Sequence, residues 1–173
     1  MKGTWIIGVG MGLLWGTASA VAEVGRANLW GKEDTKSTVG GTATIREVAE
    51  GMGIQADINV WGIPPAGQHG IHIHQYGDCA DGGNAAGGHY NPNNAPHGFL
   101  PKDGMAGAHP GDMGNIEVGT DGKGHLSITL PGVTLSQVAG RAIVLHEKPD
   151  DFGQPTGNAG GRIGCGLILI TKD

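Results

Sequence analysis

The sequence predicts an all-β domain, either a closed barrel or two packed sheets, on three observations. Short segments alternate apolar and polar residues at period two, as strands do when one face is buried. Turn-forming clusters separate them: Glu50-Gly51-Met52-Gly53, Pro64-Pro65-Ala66-Gly67 and Thr120-Asp121-Gly122-Lys123-Gly124. No stretch shows a helical apolar stripe with caps, so no helix competes with the strands.

The chain begins Met1-Lys2, continues with an apolar run from Trp5 to Trp15, and reaches the small residues Ala18-Ser19-Ala20. This predicts a signal peptide over 1–20, because a basic start, an apolar run and a small-residue cleavage site are what signal peptidase recognises. The run is too short for the roughly 20 residues that span a bilayer, so no membrane association is expected of the mature form. Residues 21–173 fit one domain, since single domains commonly run to about 100 to 200 residues.

Within that domain the first strand expected is Thr42 to Val48, followed by Ile54 to Val60. His72-Ile73-His74 comes next. Residues two apart in a strand share a face, so the two imidazoles project together while Ile71 and Ile73 face the core. Ile116 to Val118, His125 to Leu130 and Arg141 to His146 continue the alternation. Cys165 to Thr171 is more continuously apolar, as expected of a terminal strand buried in the interior.

Two segments break the rhythm, residues 75–114 and 147–164. Unstructured loops of about 20 or more residues are uncommon unless function holds them. Here the first carries His89, His97, His109 and Asp112 with Cys79, and the second carries Asp150 and Arg162 before Cys165. Glycine supplies 35 residues with no collagen-like period, and aromatics are 5%, so the core must come from Val, Ile, Leu and Ala. Metal ligands and a disulfide would supply the missing constraint. Cys79 and Cys165, the only two cysteines of an exported chain, are read as bonded. Closing so long a loop stabilises by about 4 to 5 kcal/mol in the chain-entropy account.

The formal charge is −5, and removal of Lys2 with the signal peptide makes the mature chain one unit more negative. With no Lys/Arg cluster, nucleic-acid binding has no electrostatic footprint. An anionic substrate would have to be drawn in by local positive charge.

Three imidazoles and one carboxylate, His89, His97, His109 and Asp112, match the four-coordinate preference of Zn²⁺. His146 ends a strand where an inward ring reaches the His72/His74 pair, and an all-imidazole tetragonal site suits Cu(II). A hydrolytic zinc site would keep three ligands beside a general base, and no HExxH occurs. His69 and His125 are read as non-ligating.

The string Gly70-Ile71-His72-Ile73-His74-Gln75-Tyr76-Gly77-Asp78-Cys79 resembles the copper-binding signature of copper/zinc superoxide dismutases. Gly88-His89-Tyr90-Asn91-Pro92 resembles their bridging-histidine motif, and His109-Pro110-Gly111-Asp112-Met113-Gly114-Asn115 resembles their zinc loop. Gly157-Asn158-Ala159-Gly160-Gly161-Arg162-Ile163-Gly164-Cys165 is similar to their final signature. The resemblance spans essentially all of the mature chain. It implies a Greek-key barrel or sandwich of about eight antiparallel strands with two long functional loops.

It further implies copper on His72, His74, His89 and His146, and zinc on His89, His97, His109 and Asp112, with the His89 ring shared. Asp150 would link His72 to His97. Arg162 would dock superoxide opposite Thr156, and His89 with Arg162 would be the catalytic groups. Cys79 follows Gly77-Asp78 directly, as in bacterial exported members, which implies a periplasmic or extracellular setting and leaves monomer or homodimer open. A non-catalytic copper/zinc-binding module is the alternative function. Such a module has no need of Arg162, Thr156 and His89 together.

Overall fold

The structure, a computed structural model, describes residues 22–32, 37–48 and 51–173. The signal peptide read at 1–20 lies outside the described residues.

Among the described residues, nine antiparallel strand segments form the frame: β1 (Glu23–Trp30), β2 (Gly40–Glu47), β3 (Gly53–Trp61), β4 (Gly67–His74), β5 (Asp112–Val118), β6 (Gly124–Pro131), β7 (Ala142–His146), β8 (Arg162–Leu167) and β9 (Leu169–Lys172). Their spatial order is β2-β3-β6-β5-β4-β7-β8-β1, and β1 also pairs with β2, so the sheet closes into an eight-stranded barrel. Strands β3 and β6 lie side by side with the β4–β5 pair returning between them in sequence, which is Greek-key connectivity. The all-β expectation holds.

The barrel interior is aliphatic, filled by Ile45, Ile54, Ile58, Ile71, Ile73, Ile116, Leu130, Ile143 and Leu145, all fully buried. Each such side chain stabilises the fold by roughly 1.5 to 3 kcal/mol through area removed from water. β4 and β7 differ from the other strands, because both faces of β7 and of the last six residues of β4 are buried. Their isoleucines and leucines fill the barrel. On the other face His72, His74 and His146 point outward and are covered by the two long loops.

Strand β1 was not anticipated. Its inward positions are Gly25, Ala27 and Leu29, and the first two are too small to make a visible apolar alternation. Gly25 has to be small, since a Cβ there would press on Leu135, Ile45 and Ile168.

Three short helices also depart from the helix-free expectation. The loop after β4 contains a 3-10 helix at Asp81–Ala86 and α1 at Leu100–Gly107. α1 has Pro101 in its first turn and is kinked at Gly104 (φ 66°, ψ 179°), so it shows no continuous stripe. α2 (Leu135–Val138) is a single turn held by a capping box between Thr134 and Gln137.

The terminal apolar run is likewise not one buried strand. The chain breaks at Ile168, which is buried, and Leu169 and Ile170 emerge on the outside, 57% and 36% exposed. Beyond Ile168 the chain leaves β8 and pairs with the far half of β1 instead.

Candidate metal centre

β4 sits between β5 and β7, with His72 paired to both Asp112 and Val144 and the register shifting between Gly70 and His72. His146 ends β7, where a second irregularity turns it from Leu145 toward the loops. His89 is carried back onto β4 by an isolated antiparallel bridge to His74. The four rings of His72, His74, His89 and His146 therefore converge, with candidate ligand atoms all within 4.8 Å of one another. His72 and His89 stack at 4.0 Å between centroids, and the Nε2 atoms of His74 and His146 are 3.3 Å apart.

A second group, His89, His97, His109 and Asp112, meets the same criterion and shares His89 with the first. Asp112 is its hub. His89 Nδ1 and His109 Nδ1 donate to its Oδ1 at 2.9 and 3.0 Å, while the main-chain N–H groups of Gly98 and His109 donate to Oδ2. All seven residues are buried, although the second group sits in a loop that looked polar in sequence.

Asp150 joins the two groups. His72 Nε2 donates to its Oδ2 at 2.8 Å, and His97 Nε2 donates to its Oδ1 at 3.0 Å. In the neutral rings this sets both tautomers and leaves each Nδ1 as a lone pair directed at its own cluster. Those two nitrogens, His72 Nδ1 and His97 Nδ1, are the buried side-chain polar atoms with no hydrogen-bond partner among the described residues. His97 Nδ1 lies 2.9 Å from Asp112 Oδ2, but off the direction that a hydrogen bond requires. Buried polar atoms are nearly always satisfied, so two orphaned nitrogens facing clusters of other donors fit metal ligation. His74 donates Nδ1–H to the Gly87 carbonyl at 2.9 Å, which frees its Nε2.

Burial governs the electrostatics of the four-imidazole group. Desolvation, with neighbouring imidazoles, pushes His74 down to about 2 and His146 to about 3. Desolvation also lowers His89, which the Asp112 carboxylate partly offsets, leaving it at about 4. His97 goes the other way: burial opposes its charge, but Asp112 and Asp150 outweigh burial and raise it to about 9. Burial opposes ionisation of both carboxylates too. Hydrogen bonds from His109 and His89, with the His97 ring close by, nevertheless hold Asp112 well below the usual range, and hydrogen bonds from His72 and His97 do the same for Asp150.

These shifts predict opposite pH slopes on either side of neutrality for the metal-free protein. An unfolded histidine titrates near 6.5. Below that, unfolded His74, His89 and His146 bind protons that the folded forms refuse, so stability falls on acidification. The His97 contribution is fully present below about 6.5 and is lost as pH rises through about 9. Each group contributes a slope of up to about 1.4 kcal/mol per pH unit in its window. Urea midpoints measured in chelator should therefore peak near pH 6.5 and fall toward both pH 5 and pH 9.

Above the rings lies a cavity of about 190 Å³ lined by His74, His89, His146, Thr156, Asn158 and Arg162. Arg162 opens β8 and is partly buried, and its guanidinium donates to the carbonyls of Gly83 and Gly87 at 2.5 Å. Both acceptors belong to the loop that the Cys79–Cys165 disulfide ties to β8. The expected disulfide is present, and it fixes the carbonyls that aim Arg162.

His69 is buried away from both groups, its ring nitrogens at 3.0 Å from the carbonyls of His146 and Pro65. His125 is exposed beside Asn59. Neither joins a cluster. The sequence reading gave no role to Asn115, whose carboxamide accepts from Asp150 N–H and donates to Asp150 C=O at 2.7 and 2.9 Å. It also missed Gln154, which treats the main chain of His97 in the same way. Gly157 was seen only as part of a motif. It has φ 75°, and a Cβ there would collide with the Asp150 carboxylate and the His97 ring. Lone amides and glycines in loops have no spacing signal to betray them.

Comparison with known proteins gives a consistent result. Residues 39–168 match the family described as copper/zinc superoxide dismutase (SODC). A superoxide dismutase [Cu-Zn] of Onchocerca volvulus is 40% identical over 146 residues, covering 77% of this chain and 90% of that protein. An extracellular superoxide dismutase [Cu-Zn] of Brugia pahangi is 37% identical over 168 residues, covering 90% of this chain and 77% of that protein. Among solved structures, the crystal structure of the clock protein EA4 superposes with a TM-score of 0.74 at 32% identity, over 87% of this chain and 96% of that one.

Proposed function

Because the chain belongs to the copper/zinc superoxide dismutase family, we propose that its two histidine clusters are the metal sites at which it disproportionates superoxide to oxygen and hydrogen peroxide. The enzyme is an oxidoreductase, and its cofactors are copper and zinc. The observation that carries the residue assignment is the pair of orphaned Nδ1 atoms, on His72 and His97, left by one shared carboxylate.

Copper would be held by His72, His74, His89 and His146, and zinc by His89, His97, His109 and Asp112. When bound, copper supplies one-electron exchange, whereas zinc supplies charge without redox chemistry. Asp150 locks the ring orientations of His72 and His97, and Asp112 directs His89 Nδ1 toward the zinc cluster, leaving Nε2 for the other. Peroxide formation needs two protons. With Nδ1 held toward the zinc cluster, His89 Nε2 is left for the reacting side, so it can deliver one of them, while water supplies the second and later restores the proton on Nε2. Arg162 and Thr156 border the cavity where superoxide docks, the guanidinium supplying the positive charge that an acidic chain otherwise lacks. A metal store would have no use for a guanidinium braced over the metal cavity.

Residues 1–20 are read as a signal peptide and 21–173 as one exported domain, periplasmic or extracellular, acting as a monomer or homodimer with no membrane or nucleic-acid partner. The Cys79–Cys165 bond supports export, as does the Brugia pahangi relative named as extracellular. The placing of Cys79 directly after Gly77-Asp78 supports the bacterial exported type. Among the described residues, no helix is long and apolar enough to cross a membrane.

The test is the rate of superoxide loss in the copper- and zinc-loaded protein. Raising ionic strength should slow it, because screening shortens the reach of Arg162 to about 10 Å at 0.1 M salt. Arg162→Ala should be slower and less salt-dependent. A rate indifferent to salt in the unsubstituted protein would refute the steering role, and no activity in the fully loaded protein would refute the function.

A further inference from the structure

We infer that Gln154 is a positioning residue for the zinc cluster, holding His97 in its ligating pose by binding both polar groups of that residue's main chain. The inference rests on the assignment of His97 to zinc made above.

His97 lies in an irregular stretch between β4 and α1, where no strand or helix orients it. Gln154 Oε1 accepts from His97 N–H at 3.0 Å, and Gln154 Nε2 donates to His97 C=O at 2.8 Å. A carboxamide satisfying both groups at once acts like one rung of a β-ladder, fixing position and rotation together. Asp150, four residues earlier in the same loop, takes the His97 ring through Nε2. The loop after β7 therefore grips His97 at main chain and side chain, and the direction of the orphaned Nδ1 follows from the two grips.

The grip is anchored in turn. Asn115 on β5 holds the main chain of Asp150, and Gly157 N–H donates to Gly153 C=O to fold the segment that presents Gln154. Asn115 is three residues beyond Asp112, so the loop is referenced to the strand that carries the zinc carboxylate. The ring contact alone leaves His97 free to pivot about Nε2. The carboxamide removes that freedom. Residue 154 is exposed as a whole while its bonds to His97 are partly buried, so it can be replaced without opening the core.

The experiment uses the full mature protein carrying Gln154→Ala or Gln154→Met, the latter keeping length without hydrogen bonding. Zinc affinity is read by competition with a chromophoric chelator, and site geometry by the visible spectrum of Co²⁺ bound in place of zinc. Both variants should bind zinc about 10 to 100 times more weakly, as loss of a group that orients a ligand does, and should shift the Co²⁺ bands. Their metal-free urea midpoints should stay close to that of the unsubstituted protein, which a merely structural role would not allow. Weakening of less than about threefold, or a superimposable Co²⁺ spectrum, overturns the proposal. His97→Ala is the control. If it kept full zinc affinity, the ligand assignment would fall, whereas loss there with no change at residue 154 would sink the clamp alone.

Discussion

Replacing His89 with alanine is expected to reduce retention of both metals at once and to lower superoxide consumption by at least about 10²-fold. Among the described residues, no other side chain belongs to both four-residue clusters. His74→Ala should weaken copper and leave zinc nearly intact, because His74 joins only the first group, and its Nδ1 is tied to Gly87 rather than to the other cluster. His109→Ala should do the reverse, since its ring contacts are with Asp112 and His89 on the second side. Metal content of the three variants after dialysis against a weak chelator separates the cases. The ring of His89 also carries the proton in the account above, so its variant should stay slow even when metal is restored in excess.

Cys165→Ser should lower stability by about 4 to 5 kcal/mol, the entropy released when an 86-residue span is no longer closed in the unfolded chain. For a domain of this size that corresponds to a fall in Tm of roughly 10 to 20 °C. The bond also anchors the 3-10 segment whose Gly83 and Gly87 carbonyls receive Arg162. Activity below the melting range should therefore fall as well, with a weaker salt dependence, because a guanidinium without fixed acceptors no longer focuses charge over the cavity. Calorimetry of oxidised, reduced and Cys165→Ser protein checks the first part, and the rate at two ionic strengths checks the second.

The sequence showed the barrel where inward positions were large. TATIREV and IQADINV announce β2 and β3 because Ile45, Ile54 and Ile58 fill the core at alternate positions. β1 was silent because its inward Gly25 and Ala27 are small, and at Gly25 a Cβ would already press on Leu135, Ile45 and Ile168. α2 was legible after all: Thr134-Leu135-Ser136-Gln137 carries a capping box, which alternation-based reading passes over. The apolar tail misled because the chain breaks at the buried Ile168, and Leu169 and Ile170 beyond it lie on a short strand paired with β1 whose side chains reach the outside.

At the site, His72, His74 and His146 were visible from strand spacing and a strand end, and His89, His97 and His109 as histidines with nothing else to do in a glycine-rich loop. The polar partners that orient them were not. Asn115 and Gln154 act through main-chain groups of Asp150 and His97, contacts made across 35 and 57 residues of sequence. No spacing rule marks a carboxamide that recognises another segment's backbone.

The central claim is that one imidazole belongs to two metal sites, and anomalous diffraction from crystals of the loaded protein at the copper and zinc absorption edges tests it most directly. The account predicts one copper peak among His72, His74, His89 and His146, one zinc peak among His89, His97, His109 and Asp112, and the ring of His89 between them. A single peak, or two peaks with His89 bound to neither or only one, would contradict it.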